Sequence, residues 1–106
     1  MNPGTLNERM VPGYDWVREY PWTAGGELVA VTDATFHVLD DATGNAVVDW
    51  SVTSGHIVIN DKIPRLTVPL AETVALATRK LRLRYLLDID DGSGPQPFVE
   101  GSLLVK

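Results

Sequence analysis

Lys80-Leu81-Arg82-Leu83-Arg84-Tyr85-Leu86-Leu87-Asp88-Ile89 is followed by Asp90-Asp91-Gly92-Ser93-Gly94-Pro95-Gln96-Pro97 and then by Phe98-Val99-Glu100-Gly101-Ser102-Leu103-Leu104-Val105. Leu81, Leu83, Tyr85, Leu87 and Ile89 fall at every second position, with Arg82, Arg84 and Asp88 between them. A period of two is the spacing of a pleated strand with one buried face. The Asp-Gly-Ser-Gly-Pro segment breaks that strand, because glycine and proline favour turn geometries and proline lacks an amide donor. Val99, Gly101, Leu103 and Val105 then alternate on one face, with Glu100 and Ser102 on the other. The stretch predicts a long β-hairpin against which the rest of the chain packs.

Upstream, the same reading gives shorter strands. Ala34, Phe36 and Val38 share one face of the segment 34–40, and Asp41-Ala42-Thr43-Gly44-Asn45 is a turn leading to a return strand over 46–52. His56 to Asn60 is a further strand, Asp61 to Pro64 a connection, and Arg65 to Val68 a strand stopped by Pro69. Glu27 to Val31 is short and apolar. Between Pro69 and Arg79, Leu70, Val74 and Ala77 lie on helical spacing without glycine or proline, which predicts a short helical turn near 70–78 crossing between sheets. Trp16, Arg18 and Tyr20 alternate with Val17 and Glu19 in a first strand ending at Pro21. Residues 1–13 carry Pro3-Gly4 and Pro12-Gly13 and read as an irregular, extended N-terminal arm ahead of a domain over 14–106. Turn signals recurring roughly every 8–12 residues predict an all-β sandwich.

Composition narrows the function classes. A chain of 106 residues with 44% hydrophobic residues is one domain able to bury a core, and its lack of cysteine excludes disulfides, cysteine zinc sites and a thiol nucleophile. A net charge of −5 argues against a nucleic-acid partner, and no apolar run approaches the roughly 20 residues of a membrane-spanning helix. Met1 to Thr5 lack the basic start and apolar middle of a signal peptide, so release by lysis or inside a particle is the expectation.

Catalytic and cofactor motifs are missing from the pattern. His37 and His56 stand in no metal-ligand spacing, no serine occupies a nucleophile elbow, and Gly92-Ser93-Gly94 is not followed by a helix. Asp40-Asp41 and Asp88-Ile89-Asp90-Asp91 sit at hairpin ends. Such turns can hold calcium, but they lack the full ligand array of an EF-hand, and aspartate in turns ordinarily caps local amides. The reading is therefore a non-enzyme without metal or cofactor. Four basic residues, Arg79, Lys80, Arg82 and Arg84, make either a solvated strand face or a patch that docks an acidic subunit. Trp16 and Trp22 are either core packing or interface anchors.

Arg65 to Thr73, then Leu81 to Gly94, then Phe98 to Val105 together resemble small immunoglobulin-like β-sandwich domains of tailed bacteriophages, such as those at the N-terminus of upper baseplate proteins. In those domains a strand ending in proline leads to a short helical turn. A Tyr-x-Leu-x-Ile strand follows, then an Asp/Gly turn and a hydrophobic-x-Gly-x-hydrophobic-x-Val strand. Ala34 to Val38 and the Gly44 turn fit the earlier part, so the likeness spans about residues 27–106. Leu86 departs from it, standing where an acidic or polar residue is common, and the tryptophan-bearing residues 1–26 have no counterpart in it. The resemblance implies an immunoglobulin-like sandwich of about seven or eight strands. It also implies a virion component made in the host cytoplasm, docking onto other phage structural proteins in a symmetric or homo-oligomeric assembly of tail, baseplate or head. Under that expectation Leu6, Met10, Trp16, Tyr20 and Trp22 are contact residues of the arm region, and Arg82 and Arg84 those of the hairpin face. The alternative is a carbohydrate- or receptor-binding module with Trp16, Trp22 or Trp50 stacking on a sugar.

Overall fold

A computed structural model describes residues 3–106; Met1 and Asn2, at the tip of the expected arm, lie outside the described residues. In chain order the elements are β1 (Gly4–Thr5), β2 (Glu8–Met10), β3 (Trp16–Glu19), β4 (Thr23–Ala24), β5 (Glu27–Leu28), β6 (Asp33–Asp40), β7 (Ala46–Ser51), β8 (Ile57–Asn60), β9 (Ile63–Val68), α1 (Leu70–Thr78), β10 (Leu83–Asp90) and β11 (Pro95–Val105). The larger sheet runs β1-β11-β10-β6-β7, with β2 also on β11, and the smaller runs β3-β9-β8. β4 and β5 form a separate small hairpin.

The closing hairpin is the centre of the larger sheet. β10 pairs antiparallel with β11 on one side and β6 on the other, bringing Tyr85 opposite Gly101 and Val38, and Leu87 opposite Val99 and Phe36. Leu83, Tyr85, Leu87 and Ile89 are all buried, as the period of two requires, while Leu81 lies before the strand and is exposed. Ala34, Phe36 and Val38 of β6 point the same way, joined by Trp50 of β7. From the smaller sheet come Trp16, Ile57, Leu66 and Val68. An aromatic cluster centred on Phe36 joins the sheets: within the larger sheet Phe36 stacks on Tyr85 at 4.7 Å and on Trp50 at 5.8 Å, and it meets Trp16 of the smaller sheet edge-on at 5.9 Å. Offset and edge-on pairs of this kind add about 0.5–1.5 kcal/mol each beyond burial. The fold is all-β with one helix.

That helix is the crossover from β9 to β10, longer than the turn expected but over the same residues. Pro69 precedes it and offers no side-chain cap. The deficit is met from a distance: the Asp15 carboxylate accepts the Leu70 N–H at 2.9 Å. Thr73, fully buried, donates to the Leu70 carbonyl at 2.7 Å and accepts the Gly13 N–H at 3.2 Å, pinning the first turn to the segment before β3.

The N-terminal segment corrects the expectation of an irregular arm set apart from residues 14–106. β1 and β2 run parallel to β11 in one continuous register, Thr5 opposite Glu100 and Glu8 opposite Leu103. Between them the chain crosses β11 at Gly101, where an added Cβ would lie 2.1 Å from the Leu6 carbonyl oxygen. The Leu6 N–H donates to the Glu100 carbonyl at 2.9 Å, and the Asn7 side chain accepts the Ser102 N–H at 3.1 Å. The physical reason is edge protection: β11 would otherwise present an unpaired ladder to solvent.

Candidate functional site

The residues expected to contact partners divide into two groups. Met10, Trp16 and Tyr20 belong to the core, with exposures of 0%, 4% and 6%, so their expected interface role is corrected. Met10 is apolar, and Trp16 and Tyr20 can be held inside once their polar atoms are matched. The Trp16 indole N–H donates to the Arg9 carbonyl at 2.9 Å, and the Tyr20 hydroxyl donates to Glu8 at 2.8 Å. Burial, with that carboxylate beside it, pushes the Tyr20 phenol well above the usual tyrosine range. Trp22 is half-buried against Phe98, their rings 6.2 Å apart. Leu6, Arg82 and Arg84 remain on the surface. Both arginines line a shallow cavity of about 290 Å³ with Thr5, Asp41, Glu100 and Ser102, where the Arg84–Asp41 ion pair is stretched to 3.9 Å.

Each histidine is held at both ring nitrogens. His37 lies between Asp49 at 2.8 Å and Asp88 at 3.0 Å, across β7, β6 and β10. His56 lies between the Ser54 hydroxyl at 2.7 Å and the Glu72 carboxylate at 2.8 Å, joining the β7–β8 turn to α1. Ser54, His56 and Glu72 have the residue types of a hydrolase triad, but the serine is committed elsewhere: its oxygen accepts the Ser51 N–H at 2.8 Å and sits 3.0 Å from the Ser51 carbonyl, closing a turn. The acidic turns are likewise occupied locally. Asp90 accepts the N–H groups of Gly92 and Gly94, and Asp91 accepts those of Ser93, whose hydroxyl holds the Asp91 carboxyl below its usual range. Among the described residues no cluster of three or more histidine or carboxylate side chains could hold a metal ion.

No family model and no curated protein matches the chain.

A second concavity, which the sequence reading did not single out, lies between the outermost strand of the larger sheet and the helix. Val47, Val48 and Trp50 of β7 face Glu72, Ala75, Leu76 and Arg79 across a groove of about 220 Å³. Trp50 is 1% exposed and its indole N–H has no hydrogen-bond partner among the described residues. The sequence placed Trp50 in the 46–52 strand without fixing its face, and it did not show that a helix would lie beside it, because the helix is placed by Asp15, Gly13 and His56, all distant in sequence. With Trp16 and Trp50 buried, sugar stacking is left with Trp22 alone of the three tryptophans.

Proposed function

We propose that this chain is a structural component of a tailed-bacteriophage virion, an immunoglobulin-like sandwich that works by docking onto neighbouring proteins rather than by catalysis. The observation that carries the reading is strand order. A larger sheet of first, last, penultimate, third and fourth principal strands faces a smaller sheet of three, with the N-terminal strand switched onto the closing strand. That order supports an immunoglobulin-type reading of the sandwich, the fold that the phage-domain resemblance of residues 27–106 implies. Fold alone does not give function, but the rest of the molecule is consistent with a docking role. The core is filled by aromatic and aliphatic side chains, both histidines are tied to carboxylates, and the concavities are shallow and open to the surface. Exposed strand edges suit assembly, since among the described residues β7, β3 and β8 each have one unpaired side. Symmetric repetition then multiplies weak contacts.

Particles purified from producing cells by density-gradient sedimentation test this reading. The chain is expected to co-sediment with them in a fixed ratio to the other particle proteins, as measured by quantitative mass spectrometry. Its confinement to the soluble fraction would overturn the proposal.

A further inference from the structure

We infer that the groove between β7 and α1 is a docking site for an extended segment of a partner protein, added as a strand to the β7 edge and carrying an acidic side chain to Arg79. Four observations converge there. Among the described residues β7 is the last strand of the larger sheet, so its outer backbone groups have no strand to bond there. Strand addition supplies those bonds, and alternate side chains of an added strand turn toward the groove.

The wall chemistry selects the occupant. Val47, Val48, Ala75 and Leu76 give an apolar lining. The volume of about 220 Å³ falls below the roughly 300 Å³ at which small-molecule pockets begin, which suits one or two inserted side chains better than a whole metabolite. Trp50, buried in the groove wall, keeps an indole N–H without an acceptor, and a buried donor of that kind is costly to leave unmatched. A side-chain oxygen of an incoming strand, turned toward the groove, would supply the acceptor. At the helix end of the groove, Arg79 makes no ion pair among the described residues. Glu72 is already engaged by His56, which leaves the Arg79 guanidinium as the charge in the groove without a side-chain partner, and an acidic group is its complement.

The inference rests on the reading of the chain as a docking module and names its contact. Its test uses the full-length, ¹⁵N-labelled chain, whose tryptophan indole signals are assigned with Trp50→Phe. The probes are synthetic hexapeptides of alternating valine and threonine ending in aspartate, and a matched set ending in asparagine, titrated to millimolar concentration. The Trp50 indole proton is expected to shift downfield and the β7 amides to gain exchange protection. Asparagine in the peptide, or Arg79→Glu in the chain, should each weaken binding by about tenfold. Shifts confined to β3 or β8, an unmoved Trp50 signal at millimolar peptide, or equal binding by both peptides would overturn it. A chain that enters particles yet leaves Trp50 unmoved would remove the groove and spare the docking role.

Discussion

Tyr20 and Tyr85 enter the core from opposite sheets, and both end on the N-terminal segment. The Tyr20 hydroxyl donates to the Glu8 carboxylate at 2.8 Å and the Tyr85 hydroxyl to the Leu6 carbonyl at 2.5 Å. Burial raises both phenol pKa values, and the Glu8 charge pushes the same way. The sign of the consequence follows from linkage. Below the ordinary value of 10.0 both states are neutral and the contribution to stability is fully present. As pH rises past it, the unfolded phenols lose protons while the folded ones keep theirs, so stability falls. The chain is therefore expected to unfold cooperatively in alkali, with tyrosinate absorbance from these two rings appearing only as circular dichroism is lost. Tyr85→Phe should cost about 1 kcal/mol at neutral pH by removing one hydrogen bond, and should blunt the alkaline limb. Ionisation of every tyrosine in a chain that stays folded would contradict this account.

Among the elements, the β8–β9 hairpin shows where the sequence was hardest to read. Asn60 pairs with Ile63, so the connection is only Asp61 and Lys62, with φ of 49° and 71°. Two-residue hairpin turns with both centres left-handed usually carry Asn-Gly, and no such pair marks this one. Pro64 also pointed to a connection rather than a strand. It is accommodated just past the end of β3, where its carbonyl accepts the Tyr20 N–H at 3.0 Å. By contrast, the faces of β6 and β10 were legible because burial on one side leaves an uninterrupted period of two. The helix was legible for its lack of glycine and proline between Pro69 and Arg79. The left-handed lysine gives a prediction. That conformation costs a side-chain-bearing residue about 1–2 kcal/mol, and glycine returns about 0.5–1 kcal/mol of it as unfolded-state entropy. Lys62→Gly should therefore stabilise the chain by about 0.5 kcal/mol in urea unfolding, with the β8–β9 amides unchanged in pattern. A loss of stability would mean that the Lys62 side chain contributes something the backbone geometry does not show.

For the molecule as a whole, the N-terminal segment decides how assembly can be tested. The sequence showed its apolar residues but not their destination, because parallel pairing with β11 joins residues about ninety positions apart (Glu8 opposite Leu103) and depends on a side chain missing at Gly101. Within the alternating row Val99, Gly101, Leu103 and Val105, the glycine is the place where another backbone passes. Removing residues 1–11 would strip Met10 from the core, bare the β11 edge and leave two buried phenols without acceptors. Met10→Ala alone should cost about 2–5 kcal/mol. Against a domain stability of about 5–15 kcal/mol, the full deletion should leave a chain largely unfolded or aggregating through the exposed edge. Leu6→Ala, at 47% exposure, should cost no more than about 0.5 kcal/mol. Loss of particle incorporation on truncation would thus report folding, whereas the same loss from Leu6→Glu or Arg79→Glu in a chain with an unaltered urea midpoint would report a contact. Urea unfolding followed by circular dichroism separates the two, and a truncated chain that unfolds at the same midpoint as the intact one would show that the segment is an appendage after all.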